Sequence, residues 1–173
     1  MHSTADFKKI KLLIFDIDGT LTDGSYYTTD DGKSVKFFNI HDQHWLKLAI
    51  RAGLKTALLS ARNDDINRRF ASDAMISECV FSAVSKVDAF YALCEKLGVA
   101  PEEALYAGDD VIDMPVMKRA GIAVAPADAV TIMDEVSPWR TAAAGGKGVA
   151  YEVVYRVLKE QGTLDQVMER YRQ

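Results

Sequence analysis

The chain alternates between short apolar runs and longer segments whose apolar residues return every three or four positions. Short runs without polar alternation are typical of strands buried on both faces of a parallel sheet. The predicted strands are 12–15, 54–59, 77–82, 105–108 and 122–125. Helical spacing lies between these strands and after them, and the predicted helices are 40–53, 64–74, 86–97, 114–119, 127–135, 149–161 and 164–171.

Capping residues support two of these helices. Asp42 is predicted to be the N-cap of the first helix, and Ser85 the N-cap of the helix at 86–97, which ends at Gly98. The strand–helix alternation predicts an α/β fold: a doubly wound, Rossmann-like parallel sheet in a single domain spanning 1–173.

A β-hairpin is predicted at about 24–39, directly after the first strand. Two β-prone runs, 25–29 and 34–39, flank a turn that contains Asp31-Gly32, which is a strong hairpin signal. Because no helix has formed before it, we expect the hairpin to stand off the main sheet. An isolated hairpin is marginal in water, so we expect it to pack on another subunit. Its apolar side chains are those of Tyr26, Tyr27, Val35, Phe37 and Phe38.

The C-terminal tail, about 137–173, begins with an irregular stretch. Gly145-Gly146-Lys147-Gly148 resembles a phosphate-cradling loop but lacks the Walker spacing. We interpret it as a flexible turn through which Lys147 reaches a ligand.

Composition narrows the function classes. A formal net charge of −4 argues against non-specific binding to nucleic acid, and an anionic substrate would need a metal or a local cation. No apolar stretch approaches a membrane span, and the first residues lack the apolar core of a signal peptide. Cys79 and Cys94 fit no metal spacing and read as free thiols in a reducing compartment, so the sequence predicts a cytoplasmic protein.

Two carboxylates follow the first strand. Asp16 and Asp18 are two positions apart, so in an extended segment they point the same way, with Gly19 breaking the strand and the Thr20 hydroxyl beside them. Such a pair is typical of a bound cation, or of a nucleophile beside an acid/base. An Asp-rich turn is the structural alternative.

Other chemically capable residues also follow strands. Ser60 and Arg62 come after the second strand, where Ser60 could cap a helix or bind phosphate, and Lys86 opens a helix whose dipole disfavours a cation. Asp109, Asp110 and Asp113 follow a later strand and indicate a cation. The carboxyl ends of parallel strands share one edge, where ligands bind. His41 and His44 are three apart, and we favour a cap or surface role over a metal site.

These motifs together resemble the haloacid dehalogenase-like phosphohydrolases. DIDGT at 16–20 matches the first motif of that family, Ser60 the second, Lys86 the third and GDDVID at 108–113 the fourth. The resemblance implies that Asp16 attacks phosphorus and becomes an aspartyl phosphate, while Asp18 is the general acid and base.

The resemblance also implies the binding roles. Mg²⁺ is expected on Asp16, the main-chain carbonyl of Asp18, and Asp109. Ser60 and Lys86 are expected to hold the phosphoryl oxygens. Asp113, helped by Asp110, is expected to orient Lys86 or a metal-bound water. The residues expected to contact substrate are Thr20, Arg62 and Lys147.

Within the family, the size, the hairpin in place of a cap domain, DGTLTDG at 18–24 and AGGKG at 144–148 are similar to capless acidic-sugar phosphatases. The implied substrate is an octulosonate 8-phosphate of lipopolysaccharide biosynthesis, or alternatively a nonulosonate 9-phosphate. The implied assembly is a homotetramer in which a neighbour's hairpin covers the site. The chain departs from the pattern at Ser60-Ala61, where TG is usual, and at Gln43–Trp45, where the bulk of Trp45 is expected to reshape the rim.

Two other functions remain open from the residues alone. A receiver domain also gathers acidic residues, a hydroxyl and a lysine at one sheet edge, but it accepts phosphate after a later strand, where this chain has Ser60. A catalytically idle oligomerisation module is the third reading. Multiple turnover on a sugar phosphate separates an enzyme from both.

Overall fold

The computed structural model describes residues 6–76 and 78–173. Its strands are β1 (Leu12–Phe15), β2 (Tyr27–Thr28), β3 (Ser34–Val35), β4 (Lys55–Leu59), β5 (Glu78–Val80), β6 (Ala104–Ala107), β7 (Ile122–Ala125) and β8 (Trp139–Arg140). Its helices are α1 (Ile40–Arg51), α2 (Asp65–Asp73), α3 (Lys86–Leu97), α4 (Met114–Met117), α5 (Val149–Glu160) and α6 (Leu164–Met168). Short 3₁₀ turns lie at Phe7–Lys9, Pro101–Glu103, Thr131–Glu135 and Glu169–Tyr171.

The described residues form a six-stranded parallel sheet in the order β5-β4-β1-β6-β7-β8. The prediction of a doubly wound, Rossmann-like sheet is confirmed. The chain extends from β1 to β5 on one side, then continues from β6 to β8 on the other, so the order reverses between β1 and β6. Phe15 at the end of β1 is level with Leu58 of β4 and Ala107 of β6, so the loops that follow these strands leave the sheet together.

The strand side chains alternate between two apolar layers. Leu13 and Phe15 of β1 face α1, α2 and α5, whereas Leu12 and Ile14 face α3 and α4. All four are fully buried, which explains why β1 reads as a continuous apolar run rather than an alternating one. The helices on both faces fix the sheet edge on which the polar loops lie.

The hairpin forms a separate antiparallel sheet, as predicted, but its strands are shorter than the β-prone runs. Tyr27 pairs with Val35, and Gly32 turns the chain with a φ of +79°. At the base of the hairpin, Phe38 stacks on Phe70 of α2, with ring centroids 4.1 Å apart. The hairpin is therefore anchored to its own chain at its base, while Phe37 is 65% exposed.

Several local predictions are corrected by the structure. Asn39, not Asp42, caps α1, and its side-chain oxygen accepts the N–H of His41 at 2.8 Å. The predicted helix at 127–135 is a 3₁₀ turn at its C-terminal part only, and β8 lies in the stretch predicted to be irregular. Ser77, the first residue of a predicted strand, lies outside the described residues. Among the described helices, none has the length and apolar character needed to cross a membrane.

Candidate active site

The loop after β1 presents the first two carboxylates. The N–H of Asp16 still donates to the carbonyl of Ala107 on β6, at 2.9 Å, so the backbone of Asp16 is held by the sheet. Ile17 is fully buried, as the alternation predicts, and the chain then turns at Gly19 with a φ of +92°. Asp16 and Asp18 therefore follow β1 at the carboxyl edge of the sheet, with Asp16 beside the loop after β6.

Lys86 connects two of the motifs through its ammonium group. Its Nζ lies 2.8 Å from Asp16 Oδ1 and 2.6 Å from Asp113 Oδ1, and the side chain is 5% exposed. Burial alone lowers the pKa of Lys86, but the two carboxylates raise it further than burial lowers it, so the group stays charged. These contacts explain a lysine in the first turn of α3, where the helix dipole disfavours a cation.

Asp113 organises the loop after β6. Its Oδ1 accepts the hydroxyl of the buried Tyr106 at 2.5 Å, in addition to Lys86. Its Oδ2 accepts the backbone N–H groups of Asp109 at 3.2 Å and Asp110 at 3.4 Å. Both oxygens of Asp113 are therefore engaged in hydrogen bonds within the chain. Sequence reasoning missed Tyr106, because an aromatic residue inside an apolar strand looks like ordinary core.

Asp109 completes an acidic cluster at the switch between β1 and β6. Carboxylate oxygens of Asp16, Asp109 and Asp113 lie within 4.8 Å of one another. The Thr20 hydroxyl donates to Asp109 Oδ1 at 3.3 Å, which ties the loop after β1 to the loop after β6. Three carboxylates against the single ammonium of Lys86 leave two negative charges uncompensated, and oxygen-only donors suit Mg²⁺. The cluster therefore fits a divalent cation.

The ionisation of this cluster is unfavourable without a cation. Burial, and then the charge of Asp113, raise the pKa of Asp16, and Lys86 lowers it only part of the way. Burial and Asp113 likewise raise the pKa of Asp109 to about 6. Because Asp113 is engaged on both oxygens, Asp16 and Asp109 are the carboxylates with room for a metal.

Asp18 has a buried partner that sequence reasoning missed. Lys36, directly after β3 in the hairpin, places its Nζ 2.6 Å from Asp18 Oδ1 and 2.6 Å from Asp64 Oδ2. The same ammonium donates to Asn67 Oδ1 of α2 at 3.2 Å. No local pattern marks Lys36, because these partners come from two other segments of the chain.

Ser60 and Arg62 belong to the loop after β4, and Arg62 approaches Asp18. Ser60 is buried after β4, and its Oγ accepts the N–H of Arg62 at 3.1 Å. The Arg62 guanidinium lies 4.5 Å from the ring centre of Tyr26 in the hairpin. Arg62 Nε is 3.9 Å from Asp18 Oδ2, so the half-exposed guanidinium lies beside the Asp18 carboxyl group.

The Gly145–Gly148 loop is packed against the first motif. The Gly146 N–H donates to the carbonyl of Thr20 at 3.0 Å, and the Gly145 N–H donates to Asp128 Oδ1 at 2.8 Å. A Cβ on Gly145 would lie 2.1 Å from the carbonyl oxygen of Gly19. The stretch is a turn, as interpreted, and its first two glycines are packed against neighbouring loops.

Lys147 and Trp45 contact residues outside the acid cluster. Lys147 is exposed and lines a cavity with Asp23 and the hairpin base around Phe38. Trp45 packs on Tyr151 and Tyr155 of α5, with ring centroids 4.9 and 5.9 Å away. The bulk of Trp45 is thus accommodated between α1 and α5.

The remaining sequence candidates are peripheral. Asp110 is exposed, and its Oδ1 accepts the N–H of Val111 at 2.7 Å. His41 and His44 are exposed, and His44 packs edge-on against Tyr171. In residues 6–76 and 78–173, neither histidine belongs to a cluster of metal-ligating side chains.

These features define a class of phosphate-ester hydrolases: a doubly wound sheet with a carboxylate pair after β1, a serine after β4, a buried lysine opening α3 and an acidic loop after β6. The family model for haloacid dehalogenase-like hydrolases matches residues 29–153, and the chain belongs to this family. It is 36% identical to the 3-deoxy-D-manno-octulosonate 8-phosphate phosphatase of Escherichia coli K12 over 162 residues, which cover 94% of this chain and 86% of the relative.

Solved structures give the same relationship. A probable phosphatase from Pseudomonas syringae superposes with a TM-score of 0.94 at 35% identity, covering 97% of this chain and 96% of its own. The 3-deoxy-D-manno-octulosonate 8-phosphate phosphatase of Moraxella catarrhalis superposes with a TM-score of 0.93 at 28% identity, covering 96% of this chain and 95% of its own. That structure is a complex with a magnesium ion, a phosphate ion and the sugar acid.

Proposed function

We propose that this protein is a Mg²⁺-dependent phosphatase that hydrolyses the phosphate monoester of an acidic sugar, 3-deoxy-D-manno-octulosonate 8-phosphate. The observation that carries the proposal is the buried Asp16, paired with Lys86 at 2.8 Å and clustered with Asp109 at the sheet edge. Relatives that cover most of the chain and are named for this reaction supply the substrate.

The first half of the reaction transfers the phosphoryl group to the protein. Asp16 attacks phosphorus, and the bond from phosphorus to the sugar oxygen breaks as the aspartyl phosphate forms. Asp18 donates a proton to the departing sugar oxygen, so the sugar leaves as an alcohol. Lys86 and Ser60 hold the phosphoryl oxygens as their charge redistributes.

The second half restores the enzyme. Asp18, now a carboxylate, takes a proton from a water molecule as the water oxygen bonds to phosphorus. The bond between phosphorus and the Asp16 oxygen breaks, which releases phosphate and restores the Asp16 carboxylate. Magnesium, when bound by Asp16, Asp109 and the main-chain carbonyl of Asp18, would neutralise the repulsion between the carboxylates and the phosphate. Asp113, with both oxygens engaged, holds Lys86 and the loop after β6 in place. Asp110 belongs to the same loop.

We assign substrate recognition to two cations outside the acid cluster. Arg62, whose guanidinium is stacked on Tyr26, has the charge and geometry to pair with the carboxylate of the sugar acid. Lys147 stands beside the hairpin base and offers a second cation for the same carboxylate. Thr20 is already committed to Asp109, so its contribution is to hold the metal ligand.

We also propose that the protein is cytoplasmic and that it forms a homotetramer through the hairpin. Tyr26, Tyr27 and Phe37 are 46%, 53% and 65% exposed, which is a large apolar surface for a two-stranded element. Phe37→Asp should lower the mass measured by light scattering. An unchanged mass would remove the hairpin from the interface.

The test of the activity is phosphate release with Mg²⁺ from the octulosonate 8-phosphate, nonulosonate 9-phosphates and hexose phosphates. We expect preference for the octulosonate, and Asp16→Asn should lower turnover by more than about 10³-fold. Asp165→Asn, at an exposed position of α6, is the matched control. Preference for a nonulosonate would change the substrate assignment, and substantial activity of Asp16→Asn would remove the nucleophile.

A further inference from the structure

Lys36 is a buried cation that belongs to the hairpin and not to the motif loops. Its side chain is 0% exposed, although most of the hairpin around it faces solvent. The ammonium lies between Asp18 and Asp64, 2.6 Å from an oxygen of each, and donates to Asn67 Oδ1. Removing an ammonium from water is costly unless it is fully partnered, so this placement requires an explanation beyond packing.

The contact makes the two oxygens of Asp18 inequivalent. Oδ1 is held by Lys36, whereas Oδ2 is buried and accepts no hydrogen bond from residues 6–76 and 78–173. Arg62 Nε approaches Oδ2 at 3.9 Å, which is too long for a hydrogen bond. Among the described residues, the direct contact that fixes the Asp18 carboxyl group is therefore the one between Lys36 and Oδ1.

A second lysine of the hairpin gives the contrast. Lys33 is 79% exposed and pairs with Asp31 at the tip, 2.6 Å away. Both lysines sit in the same two-stranded element, so their environments differ because of position and not because of the element. The hairpin therefore supplies one solvated surface pair and one buried link to Asp18.

We propose that Lys36 is a positioning residue for phosphoryl transfer, which fixes the orientation of the Asp18 carboxyl group by its contact with Oδ1. The inference rests on the proposed function, because it takes Asp18 as the proton donor. The hairpin then has a role within its own subunit: by carrying Lys36, it sets the orientation of the acid that protonates the leaving group.

The test compares two substrates that differ in their need for an acid. The sugar of a sugar phosphate is a poor leaving group as an alkoxide, so its oxygen needs a proton. The 4-nitrophenolate released from 4-nitrophenyl phosphate is stable and leaves without one. The ratio kcat/KM covers the steps up to departure of the leaving group. Lys36→Met should lower kcat/KM for the sugar phosphate about 10- to 100-fold more than for the nitrophenyl ester. A merely structural role would lower both values by the same factor.

Matched variants make the result specific. Lys33→Met should leave both kcat/KM values unchanged. The double variant Lys36→Met/Asp64→Asn keeps the net charge around Asp18 and retains a good N-cap for α2, so it serves if the single variant does not fold. It should show the same dependence on the leaving group.

Asp18→Asn separates the two levels of the argument. It should show the strongest dependence on the leaving group. If it does and the Lys36 variants lower both substrates equally, or neither, the positioning role is refuted while the proposed function stands. If Asp18→Asn shows no such dependence, or the wild-type protein hydrolyses neither substrate, the proposed function fails and the positioning role fails with it.

Discussion

Asp42→Asn tests a buried carboxyl group that joins two helices outside the catalytic cluster. Asp42 is fully buried in the first turn of α1, and its Oδ1 accepts the N–H of Tyr151 in the first turn of α5 at 2.7 Å. The α5 helix follows directly on the Gly145–Gly148 loop, so this bond holds the helix that carries the loop. Burial raises the pKa of Asp42 from 3.8 to about 6, although the hydrogen bond from Tyr151 opposes the rise.

The direction of the pH effect follows from this raised pKa. The folded protein binds the Asp42 proton more tightly than the unfolded chain, so the stabilisation is complete below pH 3.8 and is lost as the pH rises to about 6. The full difference corresponds to about 3 kcal/mol of unfolding free energy. The positive end of the α5 dipole favours the carboxylate and offsets about 1 kcal/mol of this. Asparagine keeps the acceptor oxygen without the charge.

Thermal unfolding of the wild-type protein and Asp42→Asn at pH 4 to 8, both in chelator, measures the effect. The melting temperatures should be similar at pH 4, and the variant should be higher at pH 8 by about 4 to 12 °C, from about 2 to 3 kcal/mol. The acid cluster titrates equally in both proteins, so it cancels in the difference. A difference independent of pH, or a variant less stable at pH 8, would refute the reasoning. Asp65→Asn, exposed in the first turn of α2, should differ from the wild-type protein by no more than about 0.5 kcal/mol.

Two further substitutions probe the framework of the site. Gly145→Ala places a methyl group 2.1 Å from the Gly19 carbonyl oxygen. The free energy of unfolding measured with denaturant should therefore fall by about 1 to 3 kcal/mol, and turnover should fall as well. Gly162→Ala, where no atom lies within 4 Å, should leave turnover unchanged; equal turnover of both variants would contradict the contact. Tyr106→Phe removes a hydrogen bond to the Asp113 carboxylate, so the free energy of unfolding should fall by about 1.5 to 3 kcal/mol. Because Asp113 holds Lys86, kcat should fall more than KM changes. Unchanged stability would contradict this prediction.

Local sequence signals were sufficient where an element is defined by its own residues. The bounds of β1, α3 and β7 agree with their predictions, because a four-residue apolar run or a Ser85 cap with a terminal Gly98 is visible in the sequence. The strand β8 was missed because it is two residues long and exists through pairing with Val124 and Ala125 of β7. The hairpin strands were overestimated, since β-propensity continues past the point at which pairing stops.

The site shows the same division. Asp16, Lys86 and Asp109 were expected together because each falls at a strand end or in the turn just after one. The register of β1 with β6 brings Asp16 and Asp109 together, and Lys86 lies 2.8 Å from Asp16. Lys36 carried no signal, because a lysine in a hairpin normally faces solvent. The sequence predicts Asp42 as the cap of its own helix, whereas Asp42 accepts a hydrogen bond from the N-terminus of a helix far along the chain. Both errors concern partners that only the tertiary fold selects.

The glycines show how the fold sets the geometry of the site. A Cβ on Gly19 would lie 2.0 Å from Asp109 Oδ2, and a Cβ on Gly108 would lie 2.5 Å from Asp113 Cγ. With Gly145 against the Gly19 carbonyl, three loops meet at distances that no larger residue allows. By contrast, Gly32 and Gly53 have no atom within 4 Å of such a Cβ and serve turns alone. The absence of a Cβ at Gly19 therefore lets the loop after β1 approach the Asp109 carboxylate of the loop after β6, and this approach keeps the acid cluster compact enough for one cation.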